Sequence, residues 1–473
     1  MRSCLNTNSR MLVALLVAAL APPASAQRVS ATTFHQLGHA ILREMVETNT
    51  TGSSGNVTNL AGQLATRFHL AGFPDSDVAV VGPTPRNRNF IVRYRGTGAH
   101  RPILLLAHLD VVEAKRSDWT YDPFQLTENG GFFYGRGTQD QKGGATLLTT
   151  TLLRLKQEGF VPDRDLILAL TAGEEGGMGY DGVEWLIKNR HDLIDAEYAI
   201  NVDGGGGEIE NGKHALFDVQ AAEKVYHSVS LTVKNPGGHS SLPRKDNAIY
   251  TLARALDRIA AYSFPAKPND IVKAYFRTAA GTMPPAVAAD MRKVASGRVD
   301  PAAIKRLSEY PSYNAILRTT CVATMLEGGH AENALPQTAK ATVNCRILPG
   351  EDPVAVERTL TRVIGDTAVV LAPIDTAKPS PPSPLRSDLF DVIAASVKAT
   401  WGAMPIVPTM STGATDGLYL LNAGMPVYGF TGMFIATDDD REHGKDERIL
   451  ISSFDDGLDF TYDLLKRLTG PAR

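Results

Sequence analysis

Five acidic or imidazole residues fall where extended apolar runs end: His108 and Asp110 in LLLAHLD, Asp140 in GRGTQDQKGG, and Glu174 with Glu175 in LILALTAGEEGG. An open α/β sheet gathers a site in one crevice by delivering side chains at the carboxyl ends of its strands. Oxygen and nitrogen donors delivered this way, with no thiolate among them, point to a hydrolytic metal centre.

Each residue also has a plainer reading. On a strand, positions i and i+2 share a face, so His108 and Asp110 could be an ordinary hydrogen-bonded pair; in a metal site His108 would ligate and Asp110 would fix its ring. Asp140, in a glycine-dense turn, could cap the helical run that starts near Lys142, or bridge two cations with its two oxygens. The adjacent Glu174 and Glu175 repel each other unless a cation sits between them, which leaves one free to act as a base; a solvated acidic loop is the alternative. Asp203 precedes four glycines, and His443 lies in the acidic stretch TDDDREHGKDE. Together His108, Asp140, one of the two glutamates, Asp203 and His443 suit two zinc ions sharing Asp140, with cobalt or manganese as substitutes.

These residues need elements to hold them. The chain has 473 residues, 43% apolar and 21% charged, which is ordinary for a folded chain of two or three domains. Helical patterns cover TFHQLGHAILREMVETN and NVTNLAGQLATRFHLAG, the second opening on Asn56 as a cap. NFIVRY, ILLLAHLD, LILALTA and YAINVD are short strand-like runs separated by helix-like stretches. Strands alternating with helices predict a mainly parallel sheet with helices on both faces, an α/β fold.

From about residue 223 the texture changes to strand, helix, strand, strand, helix, strand, the ferredoxin-like order. This reads as an inserted α+β domain over 223–376, with a Pro- and Ala-rich segment at about 264–312 that the pattern assigns only to local helices. AKPSPPSPLRS (377–387) reads as a linker, after which 377–473 returns to the first domain, 27–222.

Residues 1–26 carry Arg2 and Arg10, the apolar run MLVALLVAALA and Ala24-Ser25-Ala26 before Gln27, the pattern of a cleaved secretory signal, here of bacterial type directing export to the periplasm. Their removal takes two Arg and no acid, leaving 46 basic against 51 acidic residues. That balance argues against nucleic acid or an anionic membrane as partner and for a small substrate. Cys321 and Cys345 lie on consecutive strand-like runs; a cross-strand disulfide and two buried thiols are both compatible with the sequence.

In these motifs the chain resembles the di-zinc group of aminoacylase, glutamate carboxypeptidase, carboxypeptidase S, acetylornithine deacetylase and succinyl-diaminopimelate desuccinylase, over about residues 33–468. The H-x-D motif falls on His108 and Asp110, G-R-G-x-x-D-x-K-G on Gly135 to Gly143, and the paired glutamates on Glu174 and Glu175. The resemblance implies that Asp140 bridges two metals, that His108 and Asp203 hold one and Glu175 and His443 the other, and that Glu174 is the general base. It also makes the inserted domain a lid that dimerises in many members, and in GGHSS places His239 where an imidazole meets the scissile carbonyl. Asn333 and Arg346 fall where a substrate carboxylate is gripped.

The activity implied is hydrolysis of an amide bond in a dipeptide, short peptide or N-acyl amino acid with a free C-terminal carboxylate. A secreted zinc aminopeptidase and a catalytically inactive binding protein of the same fold are the rival readings. Gln141, where many members carry a second Asp, and Gly204, where a Glu often follows the metal Asp, depart from the pattern without removing a ligand.

Overall fold

The computed structural model describes residues 31–470 except Gly177 and Val299, so residues 1–26, where a secretory signal is expected, lie outside the described residues. No helix among the described residues is long and apolar enough to cross a membrane.

The strand Ile103–His108 is buried at every position, as is Leu166–Thr171, and the two pair in parallel from Ile103↔Leu166 to His108↔Thr171. On its other side Ile103–His108 pairs in parallel with Tyr198–Asn201. Continuous apolar runs of this kind are what a strand covered on both faces requires. One cover is a core of Phe68, Phe90, Leu105, Leu168 and Leu465, drawn from the sheet and flanking helices; the opposite cover includes Leu104, Ile167, Val183, Leu186 and Leu420. The helix Val57–Leu70 is capped by Asn56, whose side chain accepts from the Asn59 N–H, as expected.

The ten-stranded sheet is mixed, with parallel pairings in the majority. Its centre is parallel, but Asn89–Tyr94 joins Leu166–Thr171 antiparallel, and Gly206–Glu210 and Lys213–Glu223 form an antiparallel hairpin. That hairpin emerges directly from the Asp203 turn and was not anticipated, because KHALFDVQAAE carries no clean alternation.

A separate four-stranded antiparallel sheet follows, with Thr320–Gly328, Thr338–Ile347, Val225–Lys234 and Val369–Pro373 side by side. The helices Ala248–Ala261 and Pro353–Ile364 contribute Leu252, Ile259, Val356 and Leu360 to a core with Val229, Leu231, Val343 and Ile347. In chain order these elements run β-α-β-β-α-β. Cys321 and Cys345 are directly opposed across two of its strands and joined as a disulfide.

Candidate metal centre

The strand Ile103–His108 ends at the histidine, and the turn after it brings Asp110 back beneath the ring. His108 Nδ1 lies 2.9 Å from the main-chain carbonyl of Asp110. A carbonyl only accepts, so Nδ1 carries the proton and Nε2 is the free nitrogen. Nε2 faces Asp140 Oδ1 at 2.9 Å and Asp203 Oδ1 at 3.7 Å.

The expected part played by Asp110 needs correcting. Its carboxylate stands 4.0 Å from His108 Nδ1 and accepts the backbone N–H groups of Gly173 at 2.8 Å and Glu175 at 3.1 Å. Beyond His108 the strand has ended, so the shared-face rule no longer applies. Asp110 therefore fixes the ring through its main chain and fixes the glutamate turn through its side chain. Gly173 sits at φ +97°, and a Cβ there would fall 2.2 Å from the Tyr180 carbonyl, so only glycine makes that turn.

Asp140 caps nothing: the cap position of Lys142–Gln157 is Gln141, without a side-chain cap bond. The two carboxylate oxygens of Asp140 instead point opposite ways. Oδ1 meets His108 Nε2 at 2.9 Å and Oδ2 meets His443 Nε2 at 2.8 Å. His443 Nε2 is also 3.0 Å from Glu175 Oε2, while Glu175 Oε1 is buried without a hydrogen-bond partner. Asp203 is set by Asn201, whose side chain accepts its N–H at 3.1 Å, and Gln141 Nε2 donates to the Val202 carbonyl at 2.7 Å. The departure at Gln141 thus serves to hold the Asp203 turn.

Two sets of three candidate donors have ligand atoms within 4.8 Å of one another: His108, Glu174 and Asp203, and His108, Asp140 and Glu175. The electrostatics ask for positive charge between them. Burial, and then the Asp203 charge, push the Glu174 carboxyl well above its usual range. Burial, and then Asp140, push Glu175 up to about 7. The hydrogen bond to Asp140 is the largest influence on His443, raised to about 9. Burial opposes the charged form of His108, but hydrogen bonds to Asp140 and Asp203 outweigh it and leave that ring well above its ordinary value. Carboxylates crowded this closely favour a cation between them. The donors, the orphaned Glu175 oxygen and the two-sided Asp140 fit a pair of divalent ions.

Two further residues escaped sequence reasoning. Glu447 is fully buried, bonded to Arg136 Nη1 at 2.6 Å and accepting the N–H groups of Gly137, Gln139 and Asp140. Arg136 in turn donates to the carbonyls of His443 and Gly444. This ion pair ties the Asp140 turn to the loop carrying His443, whose φ of 58° is uncommon for a side-chain-bearing residue. The only sequence cue to Glu447 was its nearness to His443.

His239, Asn333 and Arg346 are elsewhere. His239 pairs with Ala334 in a short ribbon, exposed, with Nδ1 2.7 Å from the Ser241 hydroxyl. The Asn333 carbonyl accepts from Ser240 N–H at 3.0 Å, so these two stretches are neighbours. Arg346 lies on Thr338–Ile347, over the Tyr226 ring at 4.8 Å, with burial pulling its pKa down. Among the described residues it forms no salt bridge, and none of the three bonds to the metal centre.

The chain is similar to known proteins over most of its length. The model for "Peptidase family M20/M25/M40" matches residues 104–467. N-fatty-acyl-amino acid synthase/hydrolase PM20D1 of Homo sapiens is 29% identical over 77% of this chain and 74% of its own. Probable carboxypeptidase S-like 2 of Dictyostelium discoideum is 28% identical over 80% and 74%. The crystal structure of an M20 family metallo-carboxypeptidase, Sso-CP2 from Sulfolobus solfataricus, superposes with a TM-score of 0.65 at 18% identity, covering 91% of this chain and 98% of that one.

Proposed function

Since the chain belongs to peptidase family M20/M25/M40, a family of metal-dependent hydrolases, we propose that it cleaves the amide bond of dipeptides, short peptides or N-acyl amino acids ending in a free carboxylate. The observation that carries this reading is the Asp140 carboxylate, turned with one oxygen to His108 and the other to His443. In the proposed assignment two zinc ions would be held by His108, Asp203, Glu175 and His443, with Asp140 shared between them. When bound, such a pair supplies Lewis acidity that polarises the amide carbonyl and makes water a nucleophile near neutral pH.

The chain's own groups do the rest. Glu174 takes the proton of the attacking water and passes it to the leaving amine. Arg346, without a carboxylate partner among the described residues, is left to pair with the substrate's carboxylate; Asn333 lies past the other end of the strand Thr338–Ile347 and would reach the same carboxylate only from a second copy of the chain. His239 donates to the oxyanion. In this structure the ribbon bearing His239 does not touch the centre, so its delivery requires closure of the unit at 223–376 as a lid over the catalytic parts 27–222 and 377–473, or a second copy of the chain. The outer strand Thr320–Gly328 favours a homodimer: its Val322, Met325 and Leu326 are 58%, 60% and 68% exposed, an edge that invites pairing. The Cys321–Cys345 disulfide accords with an oxidising compartment, and hence with residues 1–26 as a secretory signal to the periplasm; a mature protein beginning at Gln27 would bear this out.

Asp140→Ala should lose zinc at both positions, and activity with it. Elemental analysis after dialysis decides this, and a variant that keeps two equivalents of zinc would refute the bridge. Arg346→Ala should raise KM for carboxylate-ended substrates by about tenfold to a hundredfold, the worth of a charge-assisted hydrogen bond, with little change for amidated analogues. Equal effects on acid and amide would remove the grip.

A further inference from the structure

The segment at 264–312, expected to hold local helices, folds with the residues just after it into four: Asp270–Ala279, Pro285–Ala295, Pro301–Leu307 and Pro311–Leu317. Although they leave from the four-stranded unit, their apolar faces dock on the main sheet. Val272, Phe276, Met291 and Leu317 share one core with Ala221, Ala222 and Met410, and these last three belong to main-sheet strands.

Between these helices and the metal centre lies a cavity of about 440 Å³, within the size range of small-molecule sites. Its inner rim is made of sequence neighbours of the candidate ligands: Gln139 and Gln141 flank Asp140, Gly204 follows Asp203, and Glu442 precedes His443. Its outer wall is Val272, Tyr275, Tyr313 and Ile316, with Met410 beside them. The cavity therefore adjoins the turns that carry Asp140, Asp203 and His443, although none of the candidate ligands lines it.

Charge decides which half of a substrate enters. No Lys, Arg or His lines the cavity, while Asp218 and Glu442 do. Nothing in that lining can pair with a substrate carboxylate, which therefore belongs on the other side of the amide. Gln139, Gln141 and Gln220 make part of the lining polar, while Val272, Tyr275, Tyr313 and Ile316 supply its rings and aliphatic carbon. Resting on the amide-hydrolase reading above, we propose that the four-helix insertion forms the subsite for the acyl half of the substrate, and that Val272, Tyr275, Tyr313 and Ile316 select an apolar chain there.

The test is calorimetric binding of N-acetyl-, N-hexanoyl- and N-decanoyl-leucine to the zinc-loaded Glu174→Gln protein, where the ligand is not consumed. Affinity should rise by about fourfold per methylene until the cavity is full. Adding Ile316→Trp, at a partly exposed position on the wall, should weaken the decanoyl ligand by about tenfold or more and leave the acetyl ligand as before. Ile316→Ala, which cannot overfill the wall, should instead move the best chain to a bulkier one. Equal affinity for acetyl and decanoyl ligands, or an Ile316→Trp effect that is the same for both, would overturn the subsite. Turnover of the same series by the unsubstituted protein reads the hydrolase assignment separately: binding that depends on chain length without turnover would support the subsite and remove that assignment alone.

Discussion

Replacing Glu174 by Gln is expected to lower kcat by about a thousandfold or more while zinc and fold stay in place. General acid–base groups contribute about 10² to 10⁴ in rate, and here one residue would serve both proton transfers. Gln matches the shape of Glu but cannot accept a proton. It also removes a buried carboxyl from beside Asp203 and Asp416, whose charges oppose ionisation of Glu174, so the metal-free variant should unfold at the same temperature as the parent or higher. The measurement has two parts, kcat on an N-acyl amino acid and zinc per chain. Glu174 also lies within ligand distance of His108 and Asp203, which makes the second part decisive. Loss of zinc would make Glu174 a ligand, and activity within about tenfold of the parent with two zincs bound would end its role as base.

Much of this centre was legible because its strands are buried on both faces and so leave continuous apolar runs. ILLLAH and LILALT stop where solvent-facing chemistry starts, and the residues after them are the ones the fold brings together. What alternation could not show is what happens past a strand's end. Asp110 was read as sharing a face with His108, yet it sits beyond the last paired residue, and its carboxylate turns to Gly173 and Glu175. The strand Ile406–Ser411 was missed because Pro408 interrupts it. It is tolerated because among the described residues this strand pairs only with Lys213–Glu223, leaving one side where a missing N–H costs no ladder bond.

The helices of the insertion had a signal that went unused. Pro285, Pro301 and Pro311 each stand at a helix start, where the fixed φ and absent N–H of proline are harmless. Their position against the main sheet was not readable, since it depends on contacts across more than a hundred residues of chain, such as those of Phe276 with Met410 in one core.

Glu447 is the opposite case, a residue invisible in sequence whose loss should cost the most stability. In TDDDREHGKDE it is one acid among several, but in the fold it is fully buried and its partner Arg136 is 2% exposed. Glu447→Ala would leave a buried guanidinium without its counter-charge and three backbone N–H groups of the Asp140 turn without an acceptor. Removing one partner of a buried ion pair costs about 3–5 kcal/mol, and that loss should appear as a lower midpoint in chemical denaturation of the metal-free protein. Zinc affinity should fall as well, by about tenfold to a hundredfold, as is typical when groups that orient ligands are removed. If Glu447 acts only by holding the Asp140 and His443 loops, excess zinc should restore much of kcat, since it touches no reacting atom. The double change Arg136→Met with Glu447→Leu should be less destabilising than Glu447→Ala alone, because it removes both charges and leaves neither stranded. A Glu447→Ala protein with an unshifted midpoint and undiminished zinc affinity would mean that the two loops are held by something other than this pair.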